Sequence, residues 1–173
     1  MGGWRSVGVL VACISSIAFA ADEPLAFKGL ALGSSKKEVL KHYPRATCST
    51  ANFCIIFDSD PKASKGMSVA GVPAGAIAFN FEDGKVEGIT IMFDAARFTQ
   101  VENTVKKRYG APDVVVPSSG ETHMWRRSGG IIRLDQYFGS DRRDSALSYL
   151  TDAEVRRTAE RLDARRRDAS NDL

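Results

Sequence analysis

The sequence predicts an α+β fold: an antiparallel sheet covered on one face by helices. Hydroxyl residues followed by glutamate three places later mark three helix starts, and alternating apolar segments joined by short Gly-containing turns predict paired strands. A helix followed by strands occurs twice, which predicts two tandem α-β-β-type units plus a C-terminal helix. The 173 residues are 43% hydrophobic and 26% charged, with a net charge of +3. This is a globular composition without the strong basic excess of nucleic-acid-binding domains, so no nucleic-acid partner is predicted.

Residues 1–20 have the three parts of a secretory signal peptide. Arg5 supplies the positive charge, residues 7–19 form the apolar region, and Ala18-Phe19-Ala20 is a small-x-small cleavage site. About thirteen apolar residues are too few to cross a bilayer, which requires about twenty. We therefore expect cleavage after Ala20 and a mature protein that is periplasmic or secreted, with no transmembrane span.

A second cleavage site lies within the same segment. Leu10-Val11-Ala12-Cys13 resembles a bacterial lipobox, in which the cysteine is lipidated and anchors the mature protein to a membrane. The apolar run before Cys13 is short for a signal peptide, and it continues past Cys13 to Ala20. The pattern thus favours cleavage after Ala20, with a lipid anchor at Cys13 as the alternative.

Two cysteines remain once the signal peptide is removed. An even pair in an exported chain predicts a disulfide between Cys48 and Cys54. The alternatives are free thiols or metal ligands, but five intervening residues fit no usual zinc motif and the chain has only two His. The sequence therefore predicts no metal and no cofactor.

The first helix is predicted from Ser35 to Tyr43. Ser35 and Glu38 have the spacing of a capping box, in which each side chain satisfies a backbone amide of the other residue. Pro44 ends the helix because it disfavours the helical conformation of the residue before it. The side chains predicted to face inward are Val39, Leu40 and Tyr43.

The second helix is predicted from Thr99 to Tyr109. Thr99 and Glu102 repeat the capping-box spacing, and Gly110 followed by Pro112 marks the end of the helix. The side chains predicted on its inward face, four residues apart, are Val101, Val105 and Tyr109.

Strands are predicted after both helices. Segments 46–48 and 53–57 form a short pair, and segments 76–81 and 85–93 form a hairpin. A two-residue turn at Asp83-Gly84 would place the apolar side chains of the two strands on opposite faces. A three-residue loop that pairs Phe81 with Lys85 gathers them on one face, and we therefore predict this loop.

A further hairpin is predicted from Glu121 to Tyr137, followed by a strand over 145–150. Its register places Trp125, Ile132 and Leu134 inside and leaves Arg126, Arg133 and Asp135 outside. The third helix starts at Thr151…Glu154 and has a thin apolar stripe. The residues of that stripe are Val155, Ala159 and Leu162.

These elements define the predicted domains. After the signal peptide, residues 21–150 form a single α+β domain, and residues 151–173 form a charged helix and a frayed tail. Val39-Leu-Lys-His-Tyr43-Pro44 is similar to Val105-Lys-Lys-Arg-Tyr109-Gly110, which indicates an internal repeat over about 27–94 and 98–138.

The second unit also resembles a known family. Val105…Tyr109-Gly110-Ala111-Pro112…Trp125 is similar to a motif of SmpA/OmlA-type small outer-membrane-assembly lipoproteins, and Leu32-Gly33-Ser34-Ser35…Glu38-Val39 is similar to the segment that opens such units. A doubled unit resembles the β-lactamase-inhibitor-protein-like fold. The resemblance covers about residues 27–138 and implies a helix-on-sheet scaffold that binds proteins and performs no chemistry.

No complete catalytic motif occurs in the sequence. Ser34-Ser-Lys-Lys37 fits the Ser-x-x-Lys motif of penicillin-binding enzymes, but the accompanying Ser-Asp-Asn and Lys-Thr-Gly motifs are missing. A Ser-His-Asp triad would need His42 or His123, and the sequence contains no Gly-x-Ser-x-Gly elbow. We expect His123 to be a hydrogen-bonded residue of the sheet and the protein not to be an enzyme.

Two basic segments form the candidate interaction surface. Lys106, Lys107 and Arg108 lie on the predicted second helix, and Arg126 and Arg133 lie on the last hairpin, where Arg127 follows Arg126. Together they would suit an anionic partner such as lipid headgroups, lipopolysaccharide or an acidic protein; the alternative is a solvated face.

The expected function is therefore that of an exported, non-enzymatic module that binds a protein or another envelope component. One alternative is an inhibitor of a secreted hydrolase, which would insert Phe53 or the 66–75 connection into an active site. The other is a lipid-anchored accessory protein of outer-membrane assembly.

Overall fold

The computed structural model describes residues 24–50, 52–58, 67–117, 120–140 and 142–171. Within these ranges the fold is α+β, with mostly strands, a large antiparallel sheet and three α-helices. The predicted signal peptide, the lipobox and both cleavage sites lie outside the described residues.

Two short strands precede the first helix, further strands follow each of the first two helices, and a third helix comes last. The helices are α1 (Lys36–His42), α2 (Phe98–Tyr109) and α3 (Asp152–Asn171). The strands before α2 are β1 (Ala26–Phe27), β2 (Leu30–Ala31), β3 (Thr47–Thr50), β4 (Phe53–Phe57), β5 (Ser68–Val69), β6 (Val72–Pro73), β7 (Ala76–Glu82) and β8 (Lys85–Asp94). The strands after α2 are β9 (Val114–Pro117), β10 (Glu121–Arg127), β11 (Gly130–Phe138) and β12 (Asp144–Thr151).

The eight-stranded sheet has the order β3-β4-β7-β8-β12-β11-β10-β9, and every neighbouring pair is antiparallel. Its four strands from between α1 and α2, which are β3, β4, β7 and β8, occupy one half of the sheet, and the four strands that follow α2 occupy the other half. The halves join where β8 pairs with β12. The β1–β2 and β5–β6 hairpins are separate small sheets.

One face of the sheet carries the hydrophobic core, and we call it the core face. Its fully buried side chains include Phe79, Ile91, Leu147, Trp125 and Ile132. Val39 of α1, Val101 and Val105 of α2, and apolar residues of the two small hairpins belong to the same buried cluster. Each large side chain removed from water in this way contributes roughly 1.5–3 kcal/mol to folding.

The three-residue loop predicted for the β7–β8 hairpin is wrong. Glu82 pairs with Lys85, and Asp83 (φ +48°) and Gly84 (φ +72°) form a two-residue turn with both residues left-handed. The register then shifts by one residue, since Asn80 pairs with Gly88 and Phe81 pairs with Val86. This bulge at Glu87 places the apolar side chains of β8 on the same face of the sheet as those of β7. The prediction that the two sets share a face is therefore correct, but the bulge, and not a three-residue loop, is the cause.

The capping box of α1 is confirmed. The Glu38 amide donates to Ser35 Oγ at 3.3 Å, and the Ser35 amide donates to Glu38 Oε2 at 2.6 Å. The helix ends at His42 with Tyr43 as its C-cap, immediately before Pro44. Val39 and Tyr43 are buried as predicted, but Leu40 is 37% exposed because seven residues present only a narrow inward face.

The capping box predicted at Thr99 is wrong. Residue Asp94 starts a single 3₁₀ turn over Ala95–Arg97 by accepting a hydrogen bond from the Ala96 amide at 2.8 Å, and α2 continues directly from that turn. The N-cap of α2 is Arg97, which makes no side-chain capping bond. Glu102 points instead toward β10, where it meets His123.

The β10–β11 hairpin has the predicted register. Trp125 pairs with Ile132, and His123 pairs with Leu134, all on the core face. Asp135 lies on the opposite face, as predicted, yet it is buried. It accepts hydrogen bonds from Thr122 Oγ1 at 2.7 Å and from Arg133 Nε at 3.0 Å, which compensate for its desolvation.

Helix α3 contacts the sheet mainly through its first two turns. The Glu154 amide donates to Thr151 Oγ1 at 3.1 Å, and the buried Glu154 carboxylate accepts hydrogen bonds from Arg157 and Arg161. Arg157 also pairs with Glu87 of β8. The predicted apolar stripe does not face the core, since Leu162 is half exposed.

Candidate functional site

The predicted disulfide is confirmed. Cys48 and Cys54 are bonded to each other and lie directly opposite in the β3–β4 pair, with Cα atoms 4.0 Å apart. Cys54 is fully buried. The bond therefore ties the edge strand β3 to a strand whose side chains belong to the core.

The three cations of α2 differ in their surroundings. Lys106 Nζ lies 2.5 Å from Glu102 Oε1, whereas Lys107 is exposed. The guanidinium of Arg108 lies 5.2 Å from the centre of the Tyr109 ring, a cation–π distance. Of the three, Arg108 is the one that lines a cavity, described below.

Arg126 and Arg133 do not join the α2 cations. Arg133 pairs across the strands with Met124, and Arg126 pairs with Ile131, so both lie on the face of the sheet opposite the core face. Arg133 is also engaged with Asp135. The five predicted residues thus lie on two faces, because successive residues of a strand alternate between faces and α2 packs over only one of them.

Arg127, the neighbour of Arg126 on the hairpin, lies on the other face of the sheet, beside the end of α2. It donates a hydrogen bond from Nη2 to the Tyr109 carbonyl at 2.5 Å, lies 5.4 Å from the centre of the Tyr109 ring, and pairs with Asp113. The Tyr109 ring is therefore contacted by the guanidiniums of both Arg108 and Arg127 at the C-terminal end of α2.

His123 is a buried histidine that links α2 to β10. Its Nε2 lies 2.9 Å from Glu121 Oε2, and its Nδ1 lies 3.2 Å from Glu102 Oε1. The Phe98 ring packs against it edge-on at 5.7 Å. With 3% of its surface exposed, His123 is positioned to hold the helix on the sheet rather than to meet a substrate.

A first cavity, which we call the α1 cleft, opens beside the C-terminal end of α1. It has a volume of about 330 Å³. Its buried floor is apolar, formed by Tyr43, Ile56 and Met67. Its exposed rim carries three basic residues, which are Lys28, His42 and Arg45.

A second cavity, the α2 cleft, lies between the two small hairpins and α2 and has a volume of about 260 Å³. Its lining is largely apolar and includes Phe27 of β1, Val69 of β5, Val105 of α2 and Leu147 of β12. Lys28 and Arg108 are its charged residues among those that the structure describes. Both clefts therefore combine an apolar interior with basic groups.

Lys28 lines both clefts because of the local geometry of the β1–β2 hairpin. Lys28 (φ +48°) and Gly29 (φ +82°) form its two-residue turn, in which both residues must be left-handed. Lys28 Nζ donates to Ser68 Oγ of the neighbouring β5–β6 hairpin at 3.1 Å. The ammonium group is thereby held between the two cavities.

Two tyrosines in these cavities have raised pKa values. Burial raises the pKa of Tyr43 to about 12, and its buried hydroxyl has no hydrogen-bond partner among the described residues. Burial raises the pKa of Tyr149 in the α2 cleft as well, and the nearby Tyr109 hydroxyl adds to this effect. Both phenols are therefore neutral at physiological pH and contribute no negative charge to the clefts.

Sequence reasoning missed both clefts. The signal that was available is Phe27-Lys28-Gly29-Leu30, in which Lys-Gly between two apolar residues is compatible with a two-residue turn. Nothing local indicates that this turn packs between α1 and α2. His42, which we considered only as a member of a catalytic triad, lies on the rim of the α1 cleft.

The loops expected of a hydrolase inhibitor are not exposed apolar loops. Residues 67–75 form the β5–β6 hairpin and its flanks, whose Met67, Val69 and Val72 are buried in the core cluster. Phe53 is a half-buried residue of β4. Residue 66 of the predicted connection lies outside the described residues.

The described residues also lack the features of a metal site and of a membrane-spanning helix. No group of three or more His, Cys, Asp or Glu side chains is arranged to hold a metal ion within the described residues. Among those residues, no helix combines the length and apolar character needed to cross a bilayer. Comparison with protein-family models, with curated proteins and with solved structures finds no match to this chain.

Proposed function

We propose that this chain is an exported, non-enzymatic binding protein of the bacterial envelope, and that the α1 cleft holds a ligand with an acidic group and an apolar part. The observation that carries the proposal is the composition of the cleft. Three buried apolar or aromatic side chains form its floor, and its charged rim residues, among those described, are all basic.

The physical basis is the complementarity between this cavity and an amphiphilic anion. Burying an apolar chain against Ile56 and Met67 releases about 25 cal/mol per Å² removed from water. The rim cations Lys28 and Arg45 provide opposite charge for an acidic head. Ligand pockets commonly combine an apolar lining with a few orienting polar groups.

The overall architecture supports a binding scaffold. We infer that the chain is a tandem helix-on-sheet protein, because α1 is followed by β3, β4, β7 and β8 and α2 is followed by β9–β12, and each set of four occupies one half of the sheet. A role for the same scaffold in outer-membrane assembly, with a lipid anchor at Cys13, is the alternative within this proposal.

Binding in the α1 cleft is tested with decanoate, a one-chain carboxylate, titrated into the oxidised mature chain by calorimetry. We expect saturable binding that weakens at least tenfold in His42→Trp, which fills the cleft. Lys41→Trp is the matched control, since Lys41 is an exposed residue of α1 outside the cleft lining. Absence of decanoate binding, or equal binding by both variants, would overturn the proposed site.

Export is tested by the intact mass of the protein purified from the envelope of its native host. We expect the mass of residues 21–173 less two hydrogens, which corresponds to cleavage after Ala20 with Cys48 bonded to Cys54. A mass that begins at Cys13 and includes acyl chains would instead establish the lipid-anchored alternative. A full-length mass would contradict processing altogether.

A further inference from the structure

The α1 and α2 clefts share a wall residue, and this suggests what the ligand looks like. We propose that the two clefts bind a single ligand that has one acidic head and two apolar chains, with the head at Lys28 and one chain in each cleft. This is the chemistry of an acidic phospholipid. The inference rests on the proposed function and extends it from one cleft to two.

The first argument is the position of the charge. Lys28 lines both cavities, and its hydrogen bond to Ser68 holds its ammonium group where the β1–β2 and β5–β6 hairpins meet. An ammonium group has three N–H donors and is a suitable partner for a phosphate oxygen. An acidic head bound to Lys28 therefore has the α1 cleft on one side and the α2 cleft on the other.

The second argument is that each cavity accepts an apolar chain. The α1 cleft has Ile56 and Met67 in its floor, and the α2 cleft has Val105 and Leu147 in its wall. Tyr149 in the α2 cleft is neutral, because burial raises its pKa. The walls that would hold the chains are therefore apolar or neutral, and the charged groups of the two clefts are the basic residues that would meet the head.

The third argument is size. The α1 cleft, of about 330 Å³, and the α2 cleft, of about 260 Å³, lie near or below the lower end of the range of small-molecule sites. A ligand that enters both falls inside that range. Its head would also meet basic groups on both sides, since Arg45 lies in one cleft and Arg108 in the other.

The test compares three soluble probes on the oxidised mature chain, each below its micelle concentration. They are dihexanoyl phosphatidylglycerol, its one-chain lyso form, and dihexanoyl phosphatidylcholine, which has two chains but no net charge. We expect the two-chain anionic probe to bind at least tenfold more tightly than either of the other two. Equal affinity of the one-chain and two-chain anionic probes would overturn occupancy of both clefts.

Two variants test where the second apolar chain and the acidic head of the ligand bind. Thr104→Phe places a large side chain in the α2 cleft and should abolish the advantage of the second chain, while Asn103→Phe, at an exposed position outside the cleft, should not. Lys28→Gln should weaken binding of the anionic probes by a larger factor than binding of the zwitterionic probe, whose phosphate charge is offset by its own quaternary ammonium. If Thr104→Phe or Lys28→Gln binds like the unmodified chain, the two-chain proposal fails.

The outcomes separate this inference from the proposed function. Suppose that decanoate binds and that His42→Trp weakens this binding, but that the two-chain anionic probe binds no more tightly than the one-chain probe. The proposed function of the α1 cleft then stands, and the two-cleft inference fails. If no anionic amphiphile binds, both fall. Thermal unfolding of each variant establishes that a loss of binding is not a loss of the fold.

Discussion

The two halves of the sheet hold their helices by different means. In the first half, α1 has seven residues and a Ser35–Glu38 capping box, and backbone hydrogen bonds join its N-terminal end to the β7–β8 hairpin, including the one from the Lys36 amide to the Gly84 carbonyl at 3.3 Å. In the second half, α2 has twelve residues and no side-chain cap. It is secured by contacts with β10, including Glu102 with His123 and the Tyr109 carbonyl with Arg127.

The difference shows how helix length and mode of attachment are related. A seven-residue helix has too few internal hydrogen bonds to be stable alone, and a capping box compensates for part of this deficit. A longer helix buries more side chains, here Phe98, Val101 and Val105, and is held by packing. Trp125 completes that packing, since its Nε1 donates to the Gly110 carbonyl at 2.9 Å just beyond the end of α2.

The largest effect is expected where the packing of α2 is concentrated. Trp125→Ala removes a side chain with 0% exposure and should lower the free energy of unfolding by about 3–5 kcal/mol. Trp125→Phe should cost less, because it keeps an aromatic ring and loses the bond to Gly110 together with only part of the buried volume. Urea unfolding of both variants measures the difference. Equal losses would mean that the hydrogen bond, rather than packing, holds the end of α2.

The disulfide should have the largest effect in the first half. A bond that closes a loop of about seven residues stabilises by about 2 kcal/mol through the entropy of the unfolded chain. We expect the double variant Cys48→Ala/Cys54→Ala to lose about this amount in urea unfolding. Reductant should destabilise the unmodified chain and leave the double variant unaffected. A variant as stable as the oxidised chain would show that the first half does not depend on this local link.

The polar contacts of Glu102 between α2 and β10 should contribute less. Glu102→Gln removes the carboxylate that faces buried His123, and we expect a loss of about 1 kcal/mol in the free energy of unfolding. Lys106→Ala removes only the outer, partly exposed partner of Glu102 and should cost less than about 0.5 kcal/mol. If Lys106→Ala costs as much as Glu102→Gln, the pair on the helix surface, and not the contact with His123, is the stabilising interaction.

The smallest effect is expected at the cap of α1, and it depends on pH. Hydrogen bonds from the Ser35 amide and hydroxyl lower the pKa of Glu38 below its ordinary value of 4.5. Its contribution to stability is therefore present above pH 4.5 and is lost as the pH falls through the lowered pKa of the folded state. Glu38→Gln should be less stable than the unmodified chain at pH 7, and the difference should shrink in acid.

The matched control for this titration is Glu160→Gln, because Glu160 is exposed on α3. Its stability should follow that of the unmodified chain at every pH. A constant deficit of Glu38→Gln from pH 7 to pH 2 would mean that its cost is not electrostatic.

The features that could be predicted from the sequence depend on residues close together in the chain. The Ser35–Glu38 cap, the disulfide and the two-residue turn of β10–β11 each lie within a few residues, so the sequence pattern and the geometry coincide. The errors occurred where a distant element competes for the same residue. Thr99 and Glu102 have the spacing of a capping box, yet His123 engages Glu102 from another strand.

The residues of the two clefts could not be predicted from the sequence for the same reason, since they are distant from one another in the chain. Lys28, Tyr43, Met67 and Arg108 lie in four separate segments, and no motif relates one to another. The cations chosen from the sequence were grouped by their proximity in the chain, and β-strand alternation separates Arg126 from Arg127 onto opposite faces.

The sequence by itself determined the α+β class, the cap of α1, the bonded cysteines and the inward side chains of β10 and β11. Only the tertiary structure decided that β8 and β12 join the two halves, that a bulge at Glu87 realigns β8, and that Lys28 lies between two cavities. The physical reason is that caps, short loops and side-chain periodicity are local properties of the chain. Strand order and cavity walls arise instead from burying distant apolar surfaces against one another.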